Sequence, residues 1–508
     1  MKHHNKHYKT FAFALLLAIL MGFTFSCKKA LENKLTNDTY ADTYWKSAGD
    51  VNGALLGAYG LFRKSMNQNS CFFIWGDAPV GLFNSDEGTN LNRVYLEGFF
   101  GVPYREEGAH NWTNWYRVVD LSNLVIEHLT KMPDDKFTND QKNTFLGEAY
   151  FLRALSYFYM TRVWGDLPLQ LTATTTAGQA KYIGRTDAAI ILKQIIADAQ
   201  KASSLLSWES LNTYERRRAS KGAALALLAH ATAWQNDYAN TVLYTDSLIN
   251  RADLFHLQPM GSIRQVFKNT TEPENIFVIS SKNSENEASE WTDFSFSATI
   301  AFITVSNGYI ANMPMNVPQY YPPQSKINEL YGTDNTDSRK DEFFKASPFG
   351  DVNKPSLIKY ADIAYQNPST KSDPRSESNL IVFRLADMIL LKAEALNALA
   401  RDGEALVAVN TIRARAGAAP LASSGLILKK NILQERQREL IGEGHNYFDI
   451  VRNSSQIDKG GPNYFTQLTP WAMSVDRFKQ KGYLWPIHNS ILNANRLISQ
   501  NPWWMGKY

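Results

Sequence analysis

Three glutamates near the C-terminus are the most obvious candidates for acid–base chemistry. Glu435, Glu439 and Glu443 lie four residues apart, so on a helix they form one stripe with a spacing of about 6 Å. Two carboxyl groups about 5–5.5 Å apart are the arrangement of a retaining glycosidase. Like charges this close repel unless cations neutralise them, and five arginines lie in the same part of the sequence: Arg413, Arg415, Arg436, Arg438 and Arg452. This favours a structural ion-pair network over a catalytic dyad.

A second acidic cluster could supply oxygen ligands to Ca²⁺. Asp334, Asp337 and Asp341 do not follow the spacing of an EF-hand loop, and no glycine stands at its sixth position, so a solvated turn is favoured. The Gly442-Glu443-Gly444 segment lacks the third glycine of a dinucleotide fingerprint, and the sequence has no Walker A, GxSxG or HExxH motif. The sequence therefore predicts no enzyme, no metal centre and no cofactor.

Aromatic residues are the positive signal for binding. Phe, Tyr and Trp number 63, and sugar rings stack on Trp and Tyr while sugar hydroxyls bind Asn, Asp, Gln and Arg. Two loop-rich segments, 72–104 and 290–321, interleave these types. Each single aromatic is more often a core residue than a ligand contact, so the prediction concerns the segments more than any residue. The candidate ligand-binding residues are Trp75, Asp77, Asp86, Arg93 and Tyr95 in the first segment and Trp291, Tyr309 and Tyr320 in the second.

The N-terminus has the pattern of a secretory leader that ends at a lipid-attachment cysteine. Three lysines precede fifteen uncharged residues at 11–25, fewer than the ~20 that a transmembrane helix needs. Ser26 then precedes Cys27 as in a bacterial lipobox, although Thr24 stands where Leu is usual. The resemblance implies cleavage before Cys27 and a stable anchor of two or three acyl chains; an ordinary secretory leader is the alternative. Cys71 then lacks an intramolecular partner and is expected to be buried.

The net charge argues against a nucleic-acid partner. The formal charge of the whole chain is +4 and its pI is about 8.7, which by itself could suggest nucleic-acid binding. Removing residues 1–26 removes three lysines and no acidic residue, which leaves 50 Lys plus Arg against 49 Asp plus Glu. The basic character belongs mainly to the leader.

Apolar and small residues recur at helical spacing, in pairs joined by short turns. The clearest predicted hairpins join Ala219–Gln235 to Tyr238–Asn250 and Leu385–Ala400 to Glu404–Ala414. Alanine stripes let helices approach closely, so the expected fold is mostly α: a degenerate tetratricopeptide-like helical array with long loop-rich insertions and minor β structure. Further elements are predicted as helices over Asp50–Met66, Trp115–Met132 and Gln141–Trp164 and as a strand over Asn275–Ser280.

Four segments in a fixed order carry the most specific signal. They are EAYFLRALSYFYMTRVWGDLPL from residue 148, VFRLADMILLKAEALNALARDGEALVAVNTIRARAGAAP from 382, ILQERQRELIGEGHNYFDIVR from 432 and WPIHNSILNANRLISQNPWW from 485. They resemble the signature segments of the SusD/RagB family of outer-membrane nutrient-binding lipoproteins. Asn446, His488, Ile491 and Trp503 stand where this family usually has Arg, Pro, Glu and Gly, which indicates a divergent member.

The resemblance implies an organisation and a function. Residues 1–26 are the expected signal peptide, and 27–250 and 251–508 are expected to be two helical parts of one compact body. The implied function is that of a lipoprotein anchored through Cys27 in the outer membrane and facing the cell exterior. It captures oligo- or polysaccharide and delivers it to a SusC-like TonB-dependent transporter. A peptide-binding or protein-interaction scaffold of the outer membrane is the alternative, and the sequence does not name the glycan.

Overall fold

The structure is a computed structural model of the chain, and it describes residues 44–85, 107–174, 181–209, 215–280, 300–307, 309–313, 317–333, 336–346 and 351–507. Two compact units are present, Met1–Lys46 and Ser47–Tyr508, and the account below concerns the second. Within these ranges, no helix is both long and apolar enough to cross a membrane.

Helices supply most of the regular structure. They are α1 (Ala48–Asn67), α2 (Cys71–Gly76), α3 (Glu107–His110), α4 (Thr113–Lys131), α5 (Gln141–Trp164), α6 (Ala188–Leu205), α7 (Lys221–Trp234), α8 (Tyr238–Ile249), α9 (Arg264–Lys268), α10 (Ile300–Thr304), α11 (Gln324–Tyr331), α12 (Arg339–Phe343), α13 (Leu385–Ala398), α14 (Asp402–Arg415), α15 (Gly425–Leu440), α16 (Asn446–Asn453), α17 (Tyr464–Leu468), α18 (Val475–Lys479) and α19 (Asn489–Ala494). Single 3₁₀ turns are Gln68–Ser70, Ala78–Val80, Asp134–Lys136, Met260–Ser262, Ile358–Tyr360, Ile457–Lys459 and Pro502–Trp504.

The long helices form the predicted array, in which each packs against its successor in the chain. Helix α4 contacts α1 and α5, α6 contacts α5 and α7, and the hairpin of α7 and α8 continues through α13 into α14 and α15. Every helix predicted from apolar spacing is present, with ends within two residues of the prediction. Alanine explains the close packing of α7, where Ala223, Ala226 and Ala229 are fully buried. Side-chain caps fix helix starts, as when the Ser220 hydroxyl accepts a hydrogen bond from the Ala223 N–H at 3.3 Å.

The strands are short and pair antiparallel in four two-stranded sheets within the described residues. The pairs are β1 (Asn84–Ser85) with β3 (Tyr320–Tyr321), β2 (Asn275–Ile279) with β8 (Leu380–Arg384), β4 (Phe344–Lys345) with β5 (Ser356–Leu357), and β6 (Ile363–Asn367) with β7 (Ser372–Ser376). Strand β2 matches the strand predicted from the sequence. The β1–β3 and β2–β8 pairs join segments that are far apart in the chain, whereas β4 and β5 are close in sequence.

The C-terminal segment packs back onto the end of α5. The Trp504 indole is buried and donates to the Leu484 carbonyl at 2.7 Å. Arg185 donates to the carbonyls of Trp164 and Ser499, both at 2.9 Å. Trp504 therefore anchors the C-terminal segment to the body of the protein.

Candidate functional site

The two loop-rich segments singled out in the sequence meet at the β1–β3 sheet. Asn84 pairs with Tyr321 and Ser85 with Tyr320. The ring of Phe73, which precedes β1, stacks on Tyr320 with 5.7 Å between ring centroids and 8° between planes. We use the name loop junction for β1 and β3 together with two further parts of the protein, which are residues 309–313 of the second segment and Arg264, whose guanidinium donates to Tyr309. Both segments therefore contribute to one region, as a shared binding platform requires.

Trp75 lies in the core and not on a platform. Its side chain is fully buried, and its indole N–H donates to the Ala109 carbonyl at 3.1 Å. The rings of Trp115 and Trp164 lie 5.9 and 5.6 Å away. A ligand cannot reach this ring, because 71–76 forms the buried helix α2 and not a surface loop. The expectation that Trp75 contacts a ligand is therefore corrected.

Asp77 is likewise a buried structural residue. Its carboxylate accepts hydrogen bonds from the N–H groups of Gly442 at 3.1 Å and Gly444 at 2.7 Å, and from the Asn446 amide at 2.7 Å. Burial raises the pKa of Asp77 to about 7, although these donors and Lys359 oppose the rise. Asp77 joins the end of α2 to the loop before α16 and is not available to a ligand. Asn446, which replaces the usual arginine, supplies one of the donors.

Tyr309 and Tyr320 stand at the loop junction with different exposure. Tyr320 is 8% exposed and packs through its ring, whereas Tyr309 is half-buried. The Tyr309 hydroxyl accepts a hydrogen bond at 3.1 Å from the exposed guanidinium of Arg264. Residues 309–313 are held by the β6–β7 hairpin, because the Asn312 amide donates to the Lys371 carbonyl at 2.6 Å. An anchored phenol beside a cation can both stack on a sugar ring and hydrogen-bond its hydroxyls.

Several predicted residues fall outside the described ranges. They are Cys27, Asp86, Arg93, Tyr95 and Trp291.

The expected helical stripe holds for Glu435 and Glu439, which lie on α15, whereas α15 ends at Leu440 and Glu443 lies in the turn that follows. The three glutamates form a closed ion-pair network. Glu435, Glu439 and Glu443 are buried. Burial would raise the pKa of Glu439, but Arg415 and Arg384 hold it well below its ordinary value. Glu439 accepts from Arg384 at 2.8 Å, from Arg339 at 3.2 Å and from Arg415. Carboxylates that are buried and neutralised in this way cannot transfer protons to a substrate, which supports the structural interpretation over the glycosidase dyad.

The predicted partners of this stripe are only partly right. Arg413 and Arg438 do bind Glu435, and Arg415 binds Glu439. Arg436 and Arg452 instead bind other acids, namely Asp387, Asp449 and Glu394. Sequence reasoning missed the cations that come from remote segments, which are Arg339, Lys359 and Arg384. No local sequence spacing indicates these partners. Only the tertiary fold brings their elements, which are β8, α12 and the turn at 358–360, next to α15.

The acidic cluster around α12 is not the solvated turn expected for it. Asp337 is buried and binds the Arg339 guanidinium through both carboxylate oxygens, at 2.9 and 2.7 Å. Asp341 is exposed, and Asp334 lies outside the described residues. Arg339, two residues further on, neutralises Asp337. The expected solvent exposure of Asp337 is therefore wrong, and its carboxylate has a structural role.

One buried cluster has residue types that can bind a metal. His230, Asp387 and His445 have ligand atoms within 4.8 Å of one another. The His230 Nε2 lies 2.7 Å from Asp387 Oδ2, while Arg436 donates to Asp387 Oδ1 at 2.8 Å. Because the guanidinium already neutralises this carboxylate, Asp387 and His230 belong to a buried hydrogen-bond network, and the His445 ring stacks on His230 with 5.6 Å between centroids.

Comparison with known proteins gives consistent matches along the chain. A model described as the SusD family matches residues 350–504, and one described as starch-binding and associating with the outer membrane matches residues 98–232. The SusD-like protein P38 of Formosa agariphila is 27% identical, over 98% of this chain and 99% of its own. A SusD homologue from Bacteroides thetaiotaomicron, 25% identical, superposes with a TM-score of 0.75 over 92% of this chain and 100% of its own. A putative sugar-binding protein from Bacteroides vulgatus, 19% identical, superposes with a TM-score of 0.70 over 90% of this chain and 98% of its own.

Proposed function

Because the chain belongs to the SusD/RagB family, whose members bind sugars and associate with the outer membrane, we propose that it captures oligo- or polysaccharide at the cell surface. Capture occurs at the loop junction. The protein is anchored through a lipid on Cys27 and hands its ligand to a SusC-like TonB-dependent transporter. The chain contributes binding and positioning, and the partner couples energy to transport.

The pairing of β1 with β3 is the observation that carries this proposal. It joins the first loop-rich segment to the second, so aromatic and polar side chains from both can contact one ligand. Tyr309, which is half-buried, and Arg264, which is exposed, offer a phenol and a guanidinium linked at 3.1 Å. Sugar recognition needs this combination of a ring face and hydrogen-bond donors. Trp291, Asp86, Arg93 and Tyr95 are proposed as further contacts from the same two segments.

Affinity electrophoresis of the full chain through polysaccharide gels tests the capture step. We expect Tyr309→Ala and Trp291→Ala to reduce retention of the chain without lowering its thermal melt. Tyr244→Ala is the matched control, because Tyr244 is also half-buried but lies on α8. Retention that stays unchanged in both junction variants would contradict the proposed site. Calorimetric binding of peptides without any binding of glycans would favour the peptide-scaffold alternative.

Cell growth tests anchoring and delivery separately. We expect cells that lack the chain to take up the bound glycan slowly, and the intact chain to restore uptake. Cys27→Ala should not restore it, since a chain without its acyl groups leaves the membrane. Full restoration by Cys27→Ala would refute the anchor.

A further inference from the structure

The structure contains a cleft of about 300 Å³ outside the loop junction. It lies between the start of α4, the segment that follows α5, and α19 near the C-terminus. Its volume is at the lower end of the roughly 300–1,000 Å³ of small-molecule sites. None of the residues that define the loop junction lines this cleft.

Hydrogen bonds between its walls keep the cleft open. The Tyr116 hydroxyl donates to the Pro168 carbonyl at 2.6 Å, and the Asn495 amide donates to the Ile183 carbonyl at 3.0 Å. Arg185 joins the end of α5 to the C-terminal segment through the carbonyls described above. These bonds tie α4 and α19 to residues that follow α5 in the chain. A ligand would therefore meet a preformed site, which lowers the ordering cost of binding.

The lining combines apolar walls with one exposed positive charge. The half-buried Tyr116 supplies apolar surface, as do the edges of Trp112 and Ile491, which are 4% and 7% exposed, and Gln170 supplies an amide. Lys181 is exposed, lines the cleft and forms no ion pair with any described residue. Among the described residues that line the cleft, none carries a carboxylate. The site therefore favours a ligand with an apolar ring face, hydroxyl groups and a negative charge.

We propose that this cleft is a second ligand site, which binds an anionic sugar residue such as a uronate or a sulfated pyranose. The ring packs against the aromatic wall, the hydroxyl groups meet the neutral polar side chains, and the acid group pairs with the Lys181 ammonium. The choice of a sugar over other organic anions rests on the proposed glycan-binding function. The preference for negative charge rests on the cleft itself.

Calorimetric titration of the full chain tests the charge preference. The ligands are a glucuronate-terminated disaccharide, its 6-sulfated counterpart and the matched neutral disaccharide, with free glucuronate and acetate as small probes. We expect the acidic disaccharides to bind about two- to fivefold more tightly than the neutral one, as for a partly solvated ion pair. Lys181→Gln should remove this preference and Lys181→Arg should keep it. Lys193→Gln is the matched control, because Lys193 is an exposed lysine of α6 that does not line the cleft.

Each outcome separates this inference from the proposed function. Equal affinity for acidic and neutral disaccharides overturns the proposed anionic-sugar site, as does a preference for the acidic disaccharides that survives in Lys181→Gln. Neither result affects the proposed capture at the loop junction. Acetate that binds as well as glucuronate shows an unspecific anion site and also overturns the proposal. Glucuronate binding that depends on Lys181, in a chain that no polysaccharide gel retains, supports the cleft and refutes capture at the junction.

Discussion

Replacing Glu439 with glutamine removes one negative charge from the buried network without changing the side-chain shape. Glu439 is fully buried, and three guanidinium groups donate to it, those of Arg339, Arg384 and Arg415. In the Glu439→Gln variant these cations lose a shared counterion, and the amide N–H₂ faces other donors. Removing one partner of a buried ion pair costs about 3–5 kcal/mol. We expect a loss of this size in the free energy of unfolding.

Chemical denaturation followed by circular dichroism measures this loss. Glu404→Gln is the matched control, because Glu404 also binds an arginine, Arg401, at 2.6 Å, but both side chains are exposed. We expect almost no change in the control, because solvent screens exposed pairs. A loss below about 1 kcal/mol in Glu439→Gln would refute the view that this network stabilises the fold.

The pH dependence of the same variant gives an independent check. The pKa of Glu439 in the folded protein lies well below its ordinary value, so its contribution is present above the unfolded pKa of about 4.3. This contribution is lost as the pH falls through the lower, folded value. The difference between the wild type and Glu439→Gln should therefore shrink on acidification below about pH 4. A difference that grows in acid would contradict this sign.

Three further predictions concern the region around α2. Gly76→Ala places a Cβ 2.2 Å from the Gly444 backbone and should lower the free energy of unfolding by about 1–3 kcal/mol or more. In the control Gly60→Ala, in α1, the new Cβ meets nothing within 4 Å, so this variant should stabilise the fold by up to about 1 kcal/mol. Denaturation midpoints of the two variants measure the difference. Because burial raises the pKa of Asp77 to about 7, its protonation stabilises the folded state at low pH, and this contribution should be lost as the pH rises from about 4 to 7. The free energy of unfolding of Asp77→Asn, measured by chemical denaturation, should not show this loss. Burial also raises the pKa of the Cys71 thiol, so maleimide should label it only after unfolding; rapid labelling of the folded chain would contradict its placement.

The helical array follows from local sequence patterns. Apolar and alanine spacing predicted α1, α4, α5, α7 and α8 to within two residues, because a helix is stabilised by contacts along one face that repeats every 3.6 residues. The short strands carry little comparable signal. Strands β1 and β3 have two residues each and are separated by more than 230 positions, so only the folded chain brings them together.

The candidate site likewise combines features that the sequence indicates with features that only the folded chain determines. Composition identified the two loop-rich segments that meet at the loop junction, yet it placed Trp75 and Asp77 among the ligand contacts. A tryptophan in a Gly- and Pro-containing stretch has the same local sequence whether it is buried or exposed. The partners that settle the question for Asp77 lie more than 360 residues away.

The sequence by itself determined the family signature and the helices, and it predicts a leader that ends at Cys27 and two candidate binding segments, since each is encoded in residues close together in the chain. Tertiary structure alone decided which aromatics are buried, which cations neutralise Glu435, Glu439 and Glu443, and that a cleft lined by the exposed Lys181 lies between α4 and α19. Burial and charge pairing depend on side chains from remote segments, and only the folded chain places those side chains within contact distance.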